Sequence, residues 1–108
     1  MANRNARLAL TTSAADAYTC PDGKTALVTM CQVANVDGSN PAVVTVWWTD
    51  ASASNAVTRL CLSTTVIPGD AISVVAGGLV LEAGDKIRAS ASATGDAEMS
   101  VCVIEEDA

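Results

Sequence analysis

The chain has 108 residues, half of them apolar, a net charge of −6, and neither histidine nor phenylalanine. Without histidine there is no Ser-His-Asp or Cys-His relay, no imidazole base and no His-ligated zinc. The acidic balance speaks against nucleic acid as a partner, because phosphate binding needs a basic patch.

One domain is expected at this length, with a core large enough to fold without metal or disulfides. Charge is unevenly placed. The first fifteen residues hold Arg4 and Arg7 and no acid, whereas the last fourteen hold Asp96, Glu98, Glu105, Glu106 and Asp107 and no base. Leu8-Ala9-Leu10 is too short for a secretory leader, which needs about 7–15 apolar residues, or for a membrane span of about 20. The expectation is a protein made in the cytoplasm with no membrane partner.

Taken in order, the chain reads as short strands punctuated by turns. Ala6–Thr11 is the first, and residues 1–15 are expected to be an arm or edge strand ahead of a single domain at 16–108. Ala17–Cys20 follows and is stopped by Pro21-Asp22-Gly23, with proline setting φ and glycine taking the permissive position. Thr25–Asn35 is long, with Leu27, Thr29, Cys31 and Val33 predicted on one face. Asp37-Gly38-Ser39-Asn40-Pro41 predicts a hairpin loop into Ala42–Thr49. Asp50–Asn55 is small and polar, a loop.

Ala56–Ile67 is predicted to set Leu60, Leu62, Thr64 and Val66 against Arg59, Cys61, Ser63 and Thr65. A helix from Ala51 is disfavoured by Asn55, Val57 and Thr58. Ala71–Val75 and Leu79–Glu82 flank Gly77-Gly78. Lys86–Ala93 has the cleanest alternation, Ile87, Ala89, Ala91 and Ala93 against Lys86, Arg88, Ser90 and Ser92. Glu98–Glu105 closes the chain with Met99, Val101 and Val103 on one side. This predicts an all-β, antiparallel β-sandwich, jelly-roll-like, of eight to nine short strands.

Candidate chemistry is sparse. Cys20, Cys31, Cys61 and Cys102 form no C-x-x-C; cytoplasmic synthesis favours free buried thiols over disulfides, and a metal has little support. Asp37-Gly38-Ser39-Asn40 lacks the distal acid of a calcium loop and reads as a turn. Glu82 with Asp85, and Glu105 with Glu106, sit at a turn and a terminus rather than across a cleft. No catalytic residue and no cofactor is expected. The Trp47-Trp48 pair is the most informative feature, because neighbours on a strand face opposite ways. The pattern with Val44 and Val46 places Trp48 inside and Trp47 outside, where a subunit interface, an intramolecular cover or a sugar ring are its three uses.

The segments Tyr18–Thr25, Gln32–Gly38, Trp48-Thr49-Asp50 and Leu79–Ile87 resemble small structural proteins of tailed bacteriophages. The resemblance spans most of residues 16–105 and rests on turn-and-strand signatures. Four cysteines and the doubled tryptophan depart from it. It implies a virion component that decorates or cements the head, with the major capsid protein or other virion proteins as partners and a homo-oligomer, a trimer on threefold axes, as its form. Leu8, Leu10 and Trp47 would then be contact residues, with Arg4 and Arg7 pinning the N-terminal arm to acidic capsid surface. A neck, tail or fibre component with host-glycan binding is the alternative. A cellular adhesin or surface-layer module would need an export signal.

Overall fold

The computed structural model describes residues 1–108, and nine strands account for most of them. They are β1 (Ala2–Ala9), β2 (Ala15–Thr19), β3 (Lys24–Asn35), β4 (Ala42–Asp50), β5 (Ala56–Val66), β6 (Ala71–Ser73), β7 (Leu79–Glu82), β8 (Lys86–Ala91) and β9 (Ala97–Asp107). One sheet, here sheet A, runs β1-β9-β3, with β6 and β7 sharing the far edge of β3; sheet B runs β2-β8-β4-β5. All pairings are antiparallel. The expected all-β sandwich of two packed antiparallel sheets is therefore what the chain forms.

Most connections cross between the sheets, and β4–β5 is the pair joined within sheet B. The Asp37–Pro41 segment is accordingly not a hairpin loop, which corrects the sequence expectation. β3 spends its length on β9, while β4 pairs with β8 and β5. A turn-rich sequence marks where the chain reverses but not which sheet receives the next strand.

Period-two burial is cleanest in β8 and β9. Ile87, Ala89 and Ala91 face Ala97, Met99, Val101 and Val103 within one core, completed by Val28, Val33, Val44, Val46, Leu81 and others. Small β-branched side chains fit this thin space at pleated spacing. Two strands depart from the predicted alternation. A bulge at Thr29 shifts β3 against β9, so Val28 and Cys31 both point inward and Leu27 points out. In β5, irregularities around Leu60 and at Leu62–Ser63 turn Cys61 inward opposite Val46 and leave Leu62 64 % exposed. Ser63 there takes φ 47°, and its N–H donates to Thr45 Oγ1 at 2.9 Å. An extra residue in one strand resets the facing of everything beyond it.

The β1/β2 side of the sandwich is stitched shut. Leu10 is fully buried; its N–H donates to the Ala97 carbonyl and its own carbonyl accepts from Gly95 N–H. Tyr18 on β2 donates its hydroxyl to Glu105 Oε2 of β9 at 2.6 Å, so a hydrogen bond links the two sheets. Arg4 Nε donates to the other carboxylate oxygen at 3.4 Å. The Tyr18 bond, followed by the Arg4 guanidinium, holds the Glu105 carboxyl below its usual range against a desolvation that pushes the other way. Burial, then Glu105 itself, raises the Tyr18 phenol.

A depressed folded-state value means that Glu105 stabilises the fold above its unfolded pKa, about 4.3, and that this contribution drains away as pH falls through the folded value. Tyr18→Phe is therefore expected to lower the urea midpoint at pH 7, with the gap to wild type narrowing as the pH is taken from 5 down to 3. A gap of constant size across that range would show that Glu105 does not act through Tyr18.

Candidate functional site

Strand β4 presents Trp47 and Trp48 to opposite sides of sheet B. Trp48 lies opposite Ile87 of β8 and Thr58 of β5 and packs on the core. Trp47 lies opposite Arg88 on one side and Arg59 on the other. Arg88 is in turn opposite Asp16 of β2. One outward row thus crosses the whole sheet as Asp16, Arg88, Trp47, Arg59.

The row is held in place by its own contacts. Arg88 Nε donates to Asp16 Oδ1 at 2.7 Å, and its guanidinium carbon stands 5.9 Å from the Trp47 ring centroid. Lys86 Nζ approaches the second Asp16 oxygen at 3.5 Å. Asp16 fixes the Arg88 fork so that it lies over the indole, a geometry worth about 0.5–1 kcal/mol at exposed sites. Arg59 makes no ion pair. Beside it, Val57 is 49 % exposed, and a shallow groove of about 330 Å³ runs between Trp47, Arg59, Arg88, Val57 and Leu62. A flat aromatic, two guanidiniums and exposed aliphatics on a rigid sheet make a surface suited to apolar and acidic partners.

No protein-family model and no curated protein matches this sequence. Among solved structures the chain is similar to a protein of the Bacillus endospore appendages, described as a novel family of disulfide-linked pili: TM-score 0.58, 12 % identity, 98 % of this chain and 85 % of that one. It is also matched to two structures of a pentameric capsid protein isolated from metagenomic phage sequences. Those have TM-scores of 0.45 and 0.41, identities of 15 % and 16 %, and coverage of 91 % and 95 % of this chain. The chain spans 60 % of the length of each capsid protein. The appendage likeness establishes a shared fold.

The residues singled out from the sequence do not converge on one surface. Leu10 is a correction: it lies wholly in the core, because β1 is a strand paired along its length with β9 and the chain beyond it tucks under. Leu8 is likewise turned toward the core opposite Met99 and packs against it. Arg4 is engaged by Glu105 rather than projecting from a free arm. Arg7 is exposed opposite Ser100 on the outer face of sheet A, the far side from Trp47. Only Trp47 lies where the outward row forms. Arg88, Arg59 and Asp16 join it by register, which the sequence does not display.

Thiol and carboxylate chemistry is muted. The four cysteines are free; burial raises the Cys20 thiol and pushes Cys31 up to about 12, with Cys61 adding to it. A thiol held protonated is a poor nucleophile. Asp37 accepts from Ser39 N–H, Asn40 N–H and the Asn40 amide, and the Ser39 bond foremost lowers its carboxyl to about 2. Its oxygens are spent on the turn. The four residues of that loop form a side-chain-capped turn. No helix is long and apolar enough to cross a membrane.

Proposed function

We propose that the chain is a bacteriophage virion structural protein, a capsid decoration or cement protein that bridges neighbouring capsid subunits as a homo-oligomer. The observation that carries this reading is the Asp16–Arg88–Trp47–Arg59 row, an aromatic–arginine anchor displayed on an open sheet. Tryptophan and arginine dominate binding energy at protein interfaces, and here they are preset before any partner arrives. The strand order supports the jelly-roll-like reading: β1-β9-β3-β6 faces β2-β8-β4-β5, with the chain wrapping from sheet to sheet. The fold shared with an appendage protein can serve as a repeated building block.

The mechanism is burial of modest surfaces repeated over many copies, so that weak contacts sum into a stabilised shell. The major capsid protein is the proposed partner, and the virion, after synthesis in the host cytoplasm, the proposed location.

Cryo-electron microscopy of particles from the source phage tests this. Density for the chain in regular copies over the shell supports the cement reading. Density only at the neck, tail or fibre replaces it with that placement, and absence from the particle removes the virion role.

A further inference from the structure

The two outer faces of the sandwich are unlike in charge and alike in carrying uncovered aliphatic groups. On sheet B, Lys86, Arg88 and Arg59 face outward with Asp16 as the acid among them, leaving two net positive charges. On sheet A, register places Glu82, Thr25 and Glu106 in one outward row, and Val80, Leu27 and Ile104 in the row beside it. Glu98 faces the same way further along, and Arg7 is the cation on that face, leaving two net negative charges. Val80 is 63 % exposed and Leu27 40 % exposed. Each face therefore carries apolar and charged side chains together, with net charges of opposite sign.

We propose that a second copy of this chain is the occupant of both faces: sheet B of one molecule seats on sheet A of the next, with Trp47 and Val57 against Leu27 and Val80, and Arg59 against Glu82 and Glu106. Sign selects this mode. Two sheet B faces would bring Arg59 and Arg88 against their own copies, and two sheet A faces would bring glutamates together, so both isologous pairs are repelled. A heterologous contact alone matches charge with charge. Because the two faces lie on opposite sides of a flat sandwich, successive copies stack. A closed trimer would need patches inclined to one another, so the contact builds an open or large-ring assembly. The molecule measures 44 × 27 × 20 Å, so its broad side has room for the roughly 800 Å² that each partner buries in a stable pair.

The inference rests on the homo-oligomer part of the proposed function and not on where in a particle the protein sits. Its test is sedimentation velocity on the purified chain over a concentration series, at low and high salt. Wild type is expected to form species larger than the 10.9 kDa monomer, growing with concentration and receding with salt. Arg59→Glu alone, and Glu82→Lys/Glu106→Lys alone, are each expected to weaken association on the order of tenfold. Mixing the two variants restores it, because the reversed faces now match each other and the remaining faces are wild type. All three sites are exposed, and circular dichroism confirms that each variant is folded. A wild type that stays monomeric, an association indifferent to Arg59→Glu, or a mixture that fails to rescue each overturns the proposal. None of these results bears on whether the chain is present in virions, which the particle density decides separately.

Discussion

Replacing Trp48 by alanine is expected to cost about 3 kcal/mol of folding stability, while the same change at Trp47 costs less than about 1 kcal/mol. The two side chains are neighbours in sequence and identical in chemistry, so the contrast isolates facing. Trp48 packs against the core between Ile87 and Thr58, and truncating a large aromatic in such a place leaves a void that a close-packed interior does not refill. The value sits at the low end of the range for tryptophan because the ring is half-buried rather than enclosed. A domain of this size holds roughly 5–15 kcal/mol in all, so the loss takes a large share.

Trp47 gives up only its contact with Arg88 and some surface packing. Urea unfolding followed by far-ultraviolet circular dichroism measures both, since fluorescence loses a reporter in each variant. Equal losses would mean that the strand does not present the pair to opposite sides. The two variants also separate stability from assembly. Trp47→Ala should keep the fold and weaken self-association, whereas Trp48→Ala should do the reverse at temperatures below its unfolding.

The facing of the tryptophans was legible because alternation is a local property: Val44, Val46 and Trp48 share a side whatever the rest of the chain does. For the same reason β7 was placed at its observed bounds and β8 on its observed faces. What failed was whatever depends on a partner strand. The bulge at Thr29 and the irregularities in β5 insert residues that look like ordinary strand formers, yet each reverses the facing downstream. Residues 1–15 read as an arm or an edge strand, and Leu8 and Leu10 as contact residues, because their partner, the start of β9, is some ninety positions away. Arg88 and Arg59 flank Trp47 only through the β8–β4–β5 register, so the sequence showed one residue of the candidate site and none of its company. The fold class survived these losses, since a sandwich is specified by repeated alternation more than by any one register.

Asn35 was not singled out at all, and its removal carries the other large expected effect. Asn35→Ala should destabilise the protein by roughly 2–4 kcal/mol. The side chain is 2 % exposed and all of its polar capacity is used inward. Its Nδ2 donates to the Asn40 carbonyl at 2.9 Å and to the Val66 carbonyl at 2.8 Å, and its Oδ1 accepts from Asp37 N–H at 2.8 Å. The backbone of the same residue donates to the Asp70 carbonyl and accepts from Gly69 N–H. One amide therefore ties the crossover after β3 to the end of β5 on the opposite sheet. Alanine leaves a buried carbonyl at Val66 and the Asp37 N–H without their partner, and an orphaned buried group costs about 1–3 kcal/mol. Asn35→Asp is the sharper probe because it keeps shape and reverses function at one atom, replacing a double donor by an acceptor aimed at two carbonyls. Burial and those carbonyls would raise the introduced carboxyl above its unfolded value of about 3.9. With a raised folded value the ionisation penalty is absent below the unfolded pKa, grows as pH rises, and is complete above the folded pKa, on top of the one donor that even the neutral acid lacks. Asn35→Asp should thus approach wild type in acid and fall away from it toward neutrality, still losing ground above pH 5, where the Tyr18→Phe gap has already reached its full size. Urea midpoints between pH 3 and 8 distinguish the two, and an Asn35→Asp variant whose deficit does not grow with pH would show that the amide does not hold the crossover through its donors.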